Sequence, residues 1–210
     1  MIKTFHNCGY GMAGLVAASL LATASTASAQ GVSIVAFGDS NTYGMNMSRQ
    51  EAYPAQLEAM LKAKGHDVRV TNAGEPGATT SNALARVDWA VPAGTRVAIV
   101  QFGVNDARRG VPPAQIEENL SQVLERLKAR QVRIVLCGRR APFPPGYDIE
   151  AYRGVYRRLA QKYRIAGCNF TDGIPRSGFH ADGHENAEGT AIVARNLTRI
   201  VEPMVRGARR

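Results

Sequence analysis

A serine, a histidine, an asparagine and an aspartate hold the chemistry open to this sequence. Ser40 ends Gly38-Asp39-Ser40, directly after the apolar, β-branched run 32–37. Such a run, stopped by a glycine, reads as a buried parallel strand that delivers a polar group at its carboxyl end. In open α/β sheets ligands bind at that end. Ser40 is therefore a candidate nucleophile; the alternative is that Asp39 and Ser40 only cap a helix. A serine hydroxyl is too weakly acidic to attack unaided and needs a base within hydrogen-bond reach. His184, within Asp182-Gly183-His184-Glu185-Asn186, is the candidate base. His180 is its rival, while His66, after Gly65 at a helix end, reads as a surface residue. Two more polar blocks, Asn72-Ala73-Gly74 and Gly103-Val104-Asn105-Asp106, follow the next two apolar runs. His180, Asp182, His184, Glu185 and Glu188 are also metal-ligand types. Nothing elsewhere in the sequence completes a metal shell, so no metal is expected, and activity insensitive to chelators would separate the two readings.

The elements that must position these groups alternate. After the first strand, Tyr53, Leu57, Met60 and Leu61 mark one face of a helix that Gly65 ends. Residues 68–70 form a short second strand. Thr80, Leu84 and Val87 mark a helix closed by Pro92, and 96–102 a third strand. Pro112 and Pro113 open a helix with Ile116, Leu120, Leu124 and Leu127 inward, where a missing N–H costs nothing. A fourth strand spans 132–137, then a Pro/Gly-rich loop, then a helix with Val155, Leu159 and Tyr163 inward. A fifth strand covers 165–171, interrupted by Gly167, and a last helix runs from about 187 to 201. Alternation of this kind means right-handed βαβ crossovers and a parallel sheet covered on both faces. The expected fold is a three-layer α/β/α domain with a five-stranded parallel sheet, flavodoxin-like. The polar blocks then line one edge of that sheet.

The first 29 residues read as a secretory leader: Lys3, an apolar stretch over 11–22, and Ala27-Ser28-Ala29 before the cut. That leaves residues 30–210 as one domain, periplasmic or secreted. Gly9 to Gly14 matches a dinucleotide fingerprint by spacing only, because no strand precedes it. The chain carries a formal charge of +9. The excess offers weak attraction to anionic envelope surfaces, or serves as a solvated face. Nucleic acid is not an expected partner, since no aromatic-interleaved basic stripe exists. Cys137 and Cys168 fall on expected strands. They pair only if those strands are neighbours with Cβ atoms facing; otherwise they are buried thiols.

The four blocks together resemble the GDSL/SGNH hydrolase superfamily, whose pattern is Gly-Asp-Ser, a Gly block, Gly-x-Asn-Asp and a late Asp-x-x-His. Asn72-Ala73-Gly74-Glu75-Pro76-Gly77-Ala78-Thr79-Thr80 is similar to the second block of its acyl-CoA thioesterase I/arylesterase branch. Arg140-Ala141-Pro142, the proline loop and Tyr147 are similar to the same branch. The resemblance implies a serine esterase or thioesterase (arylesterase, lysophospholipase or acyl-CoA thioesterase type) that works through an acyl-enzyme without a cofactor. Its substrate would be a small-molecule or lipid ester. A carbohydrate O-acetylesterase and a non-catalytic envelope-binding protein of the same fold are the alternatives. It implies Ser40 as nucleophile, His184 as base and Asp182 as acid. The oxyanion donors would be the Ser40 and Gly74 N–H groups and the Asn105 amide. Met45, Phe143 and Tyr147 suggest an adaptable apolar wall for the acyl group. Asp39 serves structure as a helix-start acceptor, and Asp106 reads as support for Asn105. One feature departs from the pattern: Asp182 stands only two residues before His184. A Ser–His dyad then competes with a triad, and Asp182→Asn is expected to slow the reaction much less than His184→Ala.

Overall fold

The structure, a computed structural model, describes Met1, residues 31–139 and residues 144–206. The leader, Phe143 and Arg140-Ala141-Pro142 lie outside the described residues. Chain order is β1 (Val32–Gly38), α1 (Ser40–Tyr43), α2 (Tyr53–Ala63), β2 (Val68–Gly74) and α3 (Thr80–Ala90). It continues through β3 (Val97–Gln101), α4 (Val104–Arg108), α5 (Pro113–Ala129), β4 (Arg133–Gly138), α6 (Ile149–Tyr163), β5 (Ala166–Asn169) and α7 (Ala187–Arg206).

Five parallel strands lie in the order β2-β1-β3-β4-β5. The sheet is covered on both faces because alternate residues of each central strand are apolar on both sides. In β1, Val35 and Phe37 pack beneath α3, α5 and α6, while Ile34 and Ala36 pack beneath α2 and α7. This is the expected three-layer arrangement. β1 lies between β2 and β3, so the chain leaves it toward opposite sides and a crevice opens at its carboxyl end. Gly38 pairs with Gly74 on one side and Gln101 on the other, which sets the three site-bearing strand ends level.

Two boundaries differ from expectation. The fifth strand is only four residues long, and a single further bond, Phe170 N–H to Gly138 O at 2.7 Å, extends its pairing. The last helix continues past Pro203 to Arg206, because Val205 is buried one turn beyond Val201 on the same face. Cys137 and Cys168 face each other across β4 and β5 and form a disulfide. His66 is half-buried, with Nε2 3.4 Å from Glu202 Oε1, where the sequence suggested a surface position.

Candidate active site

Ser40 is the first residue of a one-turn helix set directly on the end of β1. Asp39 caps that helix: Oδ1 accepts from the Asn41 N–H at 2.9 Å and from Asn41 Nδ2 at 2.7 Å. Its Oδ2 accepts from Gln101 Nε2 at 3.1 Å, and Gln101 Oε1 in turn accepts from Thr42 Oγ1 at 3.0 Å. The turn is tight: a Cβ on Gly38 would stand 2.0 Å from Thr42 Oγ1. As a first helical residue Ser40 keeps its N–H outside the helix ladder, and among the described residues that N–H has no partner. The cap is thus made by Asp39, which leaves the Ser40 side chain out of the capping.

His184 reaches Ser40 across the crevice, with Nε2 2.9 Å from Ser40 Oγ and Nδ1 2.9 Å from Asp182 Oδ2. A carboxylate only accepts, so Nδ1 carries the proton and Nε2 is left to accept from the serine hydroxyl. The two-residue spacing, which seemed too short, works through a turn. Gly183 sits at φ +85, its N–H donates to His180 O at 2.9 Å, and His180 N–H donates to His184 O at 2.8 Å. Asp182 Oδ1 then accepts from the His184 N–H at 3.0 Å, folding the imidazole back over its own carboxylate. Asn46 Nδ2, 2.7 Å from Asp182 Oδ2, adds a donor. The hydrogen bonds from the His184 backbone and ring, with smaller help from Asn46, hold the Asp182 carboxyl down at about 2. His184, not His180, carries the bond to Ser40.

The Asn105 amide, half-buried at the start of α4, donates to Ala78 O at 2.9 Å and retains a second N–H. The Gly74 N–H is held by Asn72 Oδ1 at 2.9 Å, so this structure does not present it as a free donor. Glycine at 74 has another reason: a Cβ there would stand 2.2 Å from the Tyr43 N on α1. Asp106 does not brace Asn105. It accepts from Thr80 N–H at 2.9 Å and Thr80 Oγ1 at 2.6 Å, satisfying a buried amide at the start of α3 that the helix itself leaves unpaired. Met45 is half-buried one turn past Ser40, with its N–H on Ser40 O. Tyr147 packs against the core, and its hydroxyl donates to Val111 O at 2.9 Å.

Two buried arginines escaped the sequence reading. Arg86 lies on the apolar face of α3, with Ala83, Val87 and Ala90. Its guanidinium stacks 4.6 Å from the Phe37 ring centroid and donates to Gly38 O at 2.8 Å and Ala73 O at 3.0 Å. It thereby ties the ends of β1 and β2 together beneath Ser40. A lone arginine inside an apolar helical stripe was the signal. Arg139, next to Gly138 at the end of β4, pairs with Glu185; nothing local in the sequence marks that pair.

Burial raises the Asp39 carboxyl to about 6, with the Asn41 and Gln101 hydrogen bonds and the Arg139 charge pulling the other way. An acid held protonated to higher pH in the folded than in the unfolded chain makes stability fall as pH rises between the two values. Here the window is about pH 4 to 6. Asp39→Asn removes the titration, and Gln101 can present either end of its amide to the new side chain. Across that window wild type should lose about 3 kcal/mol relative to Asp39→Asn in urea unfolding. A constant difference between the two proteins would contradict the assignment.

The chain has relatives among known proteins. The model of the GDSL-like lipase/acylhydrolase family matches residues 36–192. The chain is 32% identical over 146 residues to esterase TesA of Pseudomonas aeruginosa, covering 67% of this chain and 71% of that protein. It is 29% identical over 179 residues to thioesterase 1/protease 1/lysophospholipase L1 of Escherichia coli, covering 82% and 84%. Among solved structures, a crystal structure of TesA superposes with a TM-score of 0.73 at 27% identity, over 82% of this chain and 99% of that one. AlinE4, an SGNH-hydrolase family esterase, superposes with a TM-score of 0.66 at 32% identity, over 86% and 97%. With the family model matched over most of its length, this chain belongs to the GDSL-like lipase/acylhydrolase family and is an ester-hydrolysing enzyme.

Proposed function

We propose that the chain hydrolyses acyl esters or thioesters through an acyl-enzyme on Ser40, with His184 as general base and Asp182 as its partner. The relay of two 2.9 Å hydrogen bonds, Ser40 to His184 and His184 to Asp182, carries this reading. His184 Nε2 takes the hydroxyl proton as Ser40 Oγ bonds to the substrate carbonyl carbon, and the carbonyl π pair moves onto oxygen. Collapse of that intermediate expels the alcohol or thiol, which leaves with the proton from His184. Water then repeats the sequence on the acyl-enzyme and frees the acid. Asp182 stays ionised throughout and steadies the imidazolium.

The developing oxyanion needs donors set in advance. The free Ser40 N–H and the second N–H of Asn105 supply two. For the third, we favour Gly77 over Gly74. The Asn105 amide lies against Ala78 O, next to Gly77, and among the described residues the Gly77 N–H has no partner. Removing one such donor costs about 3 kcal/mol of transition-state stabilisation. Asn105→Ala should therefore fold normally and lose about 10²- to 10³-fold in kcat; a loss under tenfold would remove it from the oxyanion site.

The reading extends to substrate and location. Tyr43, Met45 and Tyr147 offer apolar surface around the crevice for the acyl chain. The mature chain, residues 30–210, would act as one domain in the periplasm or outside the cell. The Cys137–Cys168 bond supports that location, since such bonds persist in oxidising compartments. The deciding experiment is a crystal structure of the protein inactivated by an alkyl phosphonate. Phosphorus on Ser40 Oγ, with its oxygen about 2.7–3.1 Å from the Ser40, Gly77 and Asn105 nitrogens, is the expected result. An oxygen bonded to Gly74 instead would restore that residue, and an unmodified Ser40 would overturn the nucleophile.

A further inference from the structure

His184 must lie at hydrogen-bond distance from two groups at once, and the turn that carries it is poorly anchored. Ala181 and Asp182 are exposed, and Gly183 is in the left-handed region. The internal bonds among His180, Asp182, Gly183 and His184 fix the shape of the turn. They do not fix where it stands relative to Ser40, which is on another element. A tether to the sheet has to do that, and the Asn46–Asp182 bond is at the surface.

A buried tether exists. Arg139 follows the last residue of β4, and its side chain and that of Glu185 are 3% and 1% exposed. Arg139 Nε and Nη2 approach the same Glu185 oxygen at 3.1 and 3.0 Å, and Nη2 also donates to Gly183 O. The guanidinium therefore grips the residue before His184 and the residue after it. Resting on the assignment of Ser40, His184 and Asp182 above, we propose that Arg139 and Glu185 are positioning residues. They form a buried clamp that joins the short Asp182-Gly183-His184 turn to β4 and sets the distance from His184 to Ser40.

Physical chemistry favours this role over a purely stabilising one. Desolvation takes back much of the Coulomb energy of a buried ion pair, so such pairs are weak contributors to stability. What a fork of fixed N–H directions supplies is geometry. Lysine, a single ammonium on a flexible stem, keeps the charge and cannot reproduce the two-sided grip. A shift of the base by about 1 Å is enough to cost about 10²-fold in rate.

The test uses the mature chain, p-nitrophenyl butyrate and proton NMR of the His184 Nδ1–H that Asp182 accepts. Arg139→Lys, folded by circular dichroism, should lose about 10²-fold in kcat with KM within about threefold. Its low-field Nδ1–H signal should be shifted or lost. In Ser40→Ala, inactive but with the clamp intact, that signal should persist. If Arg139→Lys does not fold, Glu185→Ala, which removes the oxygen that both guanidinium nitrogens approach, is read the same way. Unchanged kcat and an unchanged signal in whichever variant folds would overturn the clamp while leaving the Ser40 assignment standing. Full activity in Ser40→Ala would instead overturn the assignment on which the clamp rests.

Discussion

Ser40→Ala and His184→Ala should each abolish hydrolysis of p-nitrophenyl esters, with losses on the order of 10⁴- to 10⁶-fold in kcat and little change in fold. The two bonds of the relay are short and end on each other, so removing either group removes the same step. The nucleophile without a base holds its proton, and the base without a nucleophile has nothing to deprotonate. The losses should therefore not add: the double variant should be about as slow as either single one. Covalent labelling by a fluorophosphonate should vanish in Ser40→Ala and slow sharply in His184→Ala. Ser40 can be replaced by alanine cheaply, because among the described residues its side chain bonds only to His184, while Asp39 holds the helix start. Near-wild-type labelling in either variant would remove the residue from the mechanism. A double variant far slower than both would show that the two act independently.

Asp182→Asn should be the next most damaging change, with a loss of roughly 10² to 10⁴ in kcat. The loss stays smaller than that of His184→Ala, as the spacing suggests. The carboxylate is in contact with the ring nitrogen and with the backbone of the same histidine, so an amide at 182 presents donors to a donor and favours the wrong tautomer. The upper figure belongs to a fully buried carboxylate. Asp182 is 47% exposed, and water can replace part of its effect. Because its carboxyl is held at about 2, it remains charged well below neutral pH. The acid limb of the rate profile then belongs to another group, and Asp182→Asn should lower the plateau rather than move that limb by its own titration. A kcat within about fivefold of wild type would restore the dyad, with a backbone carbonyl orienting the ring.

How far these residues were readable depends on the range of the interactions that fix them. Ser40, Asn105 and His184 were legible because each follows directly on a strong local pattern. Two stand at the ends of apolar strand runs and one in a polar block before an amphipathic helix. The sheet was legible for the same reason, since a run of β-branched residues buried on both faces has few other folds to join. Asp39 as a helix cap is a contact two residues long, and it came out as read. Whether Asp182 reaches the ring stayed open in the sequence: the spacing is visible there, but the left-handed Gly183 turn that makes the spacing work is a choice of backbone angles.

The bond on the Gly74 N–H was not readable, because Asn72, two residues before it, competes for that N–H and only the folded loop decides which acceptor wins. Asp106 failed because its partner, Thr80, starts a helix 26 residues away. Arg86 reaches back 48 residues to Gly38, and Arg139 and Glu185 are 46 residues apart. Their partners are carbonyls and carboxylates on other strands and loops, and a backbone carbonyl leaves no trace in a sequence. The pairing of Cys137 with Cys168 likewise waited on strand order, because only β4 beside β5 brings the two Cβ atoms together. By itself, then, the sequence determined the alternating fold and the strand end that carries Ser40, since periodicity and capping act over a few residues, while its resemblance to a known family implied the ester-cleaving chemistry. The tertiary structure decided which carboxylate meets the imidazole, which amides stay free and what clamps the turn, since those depend on chain segments that meet only once the sheet has formed.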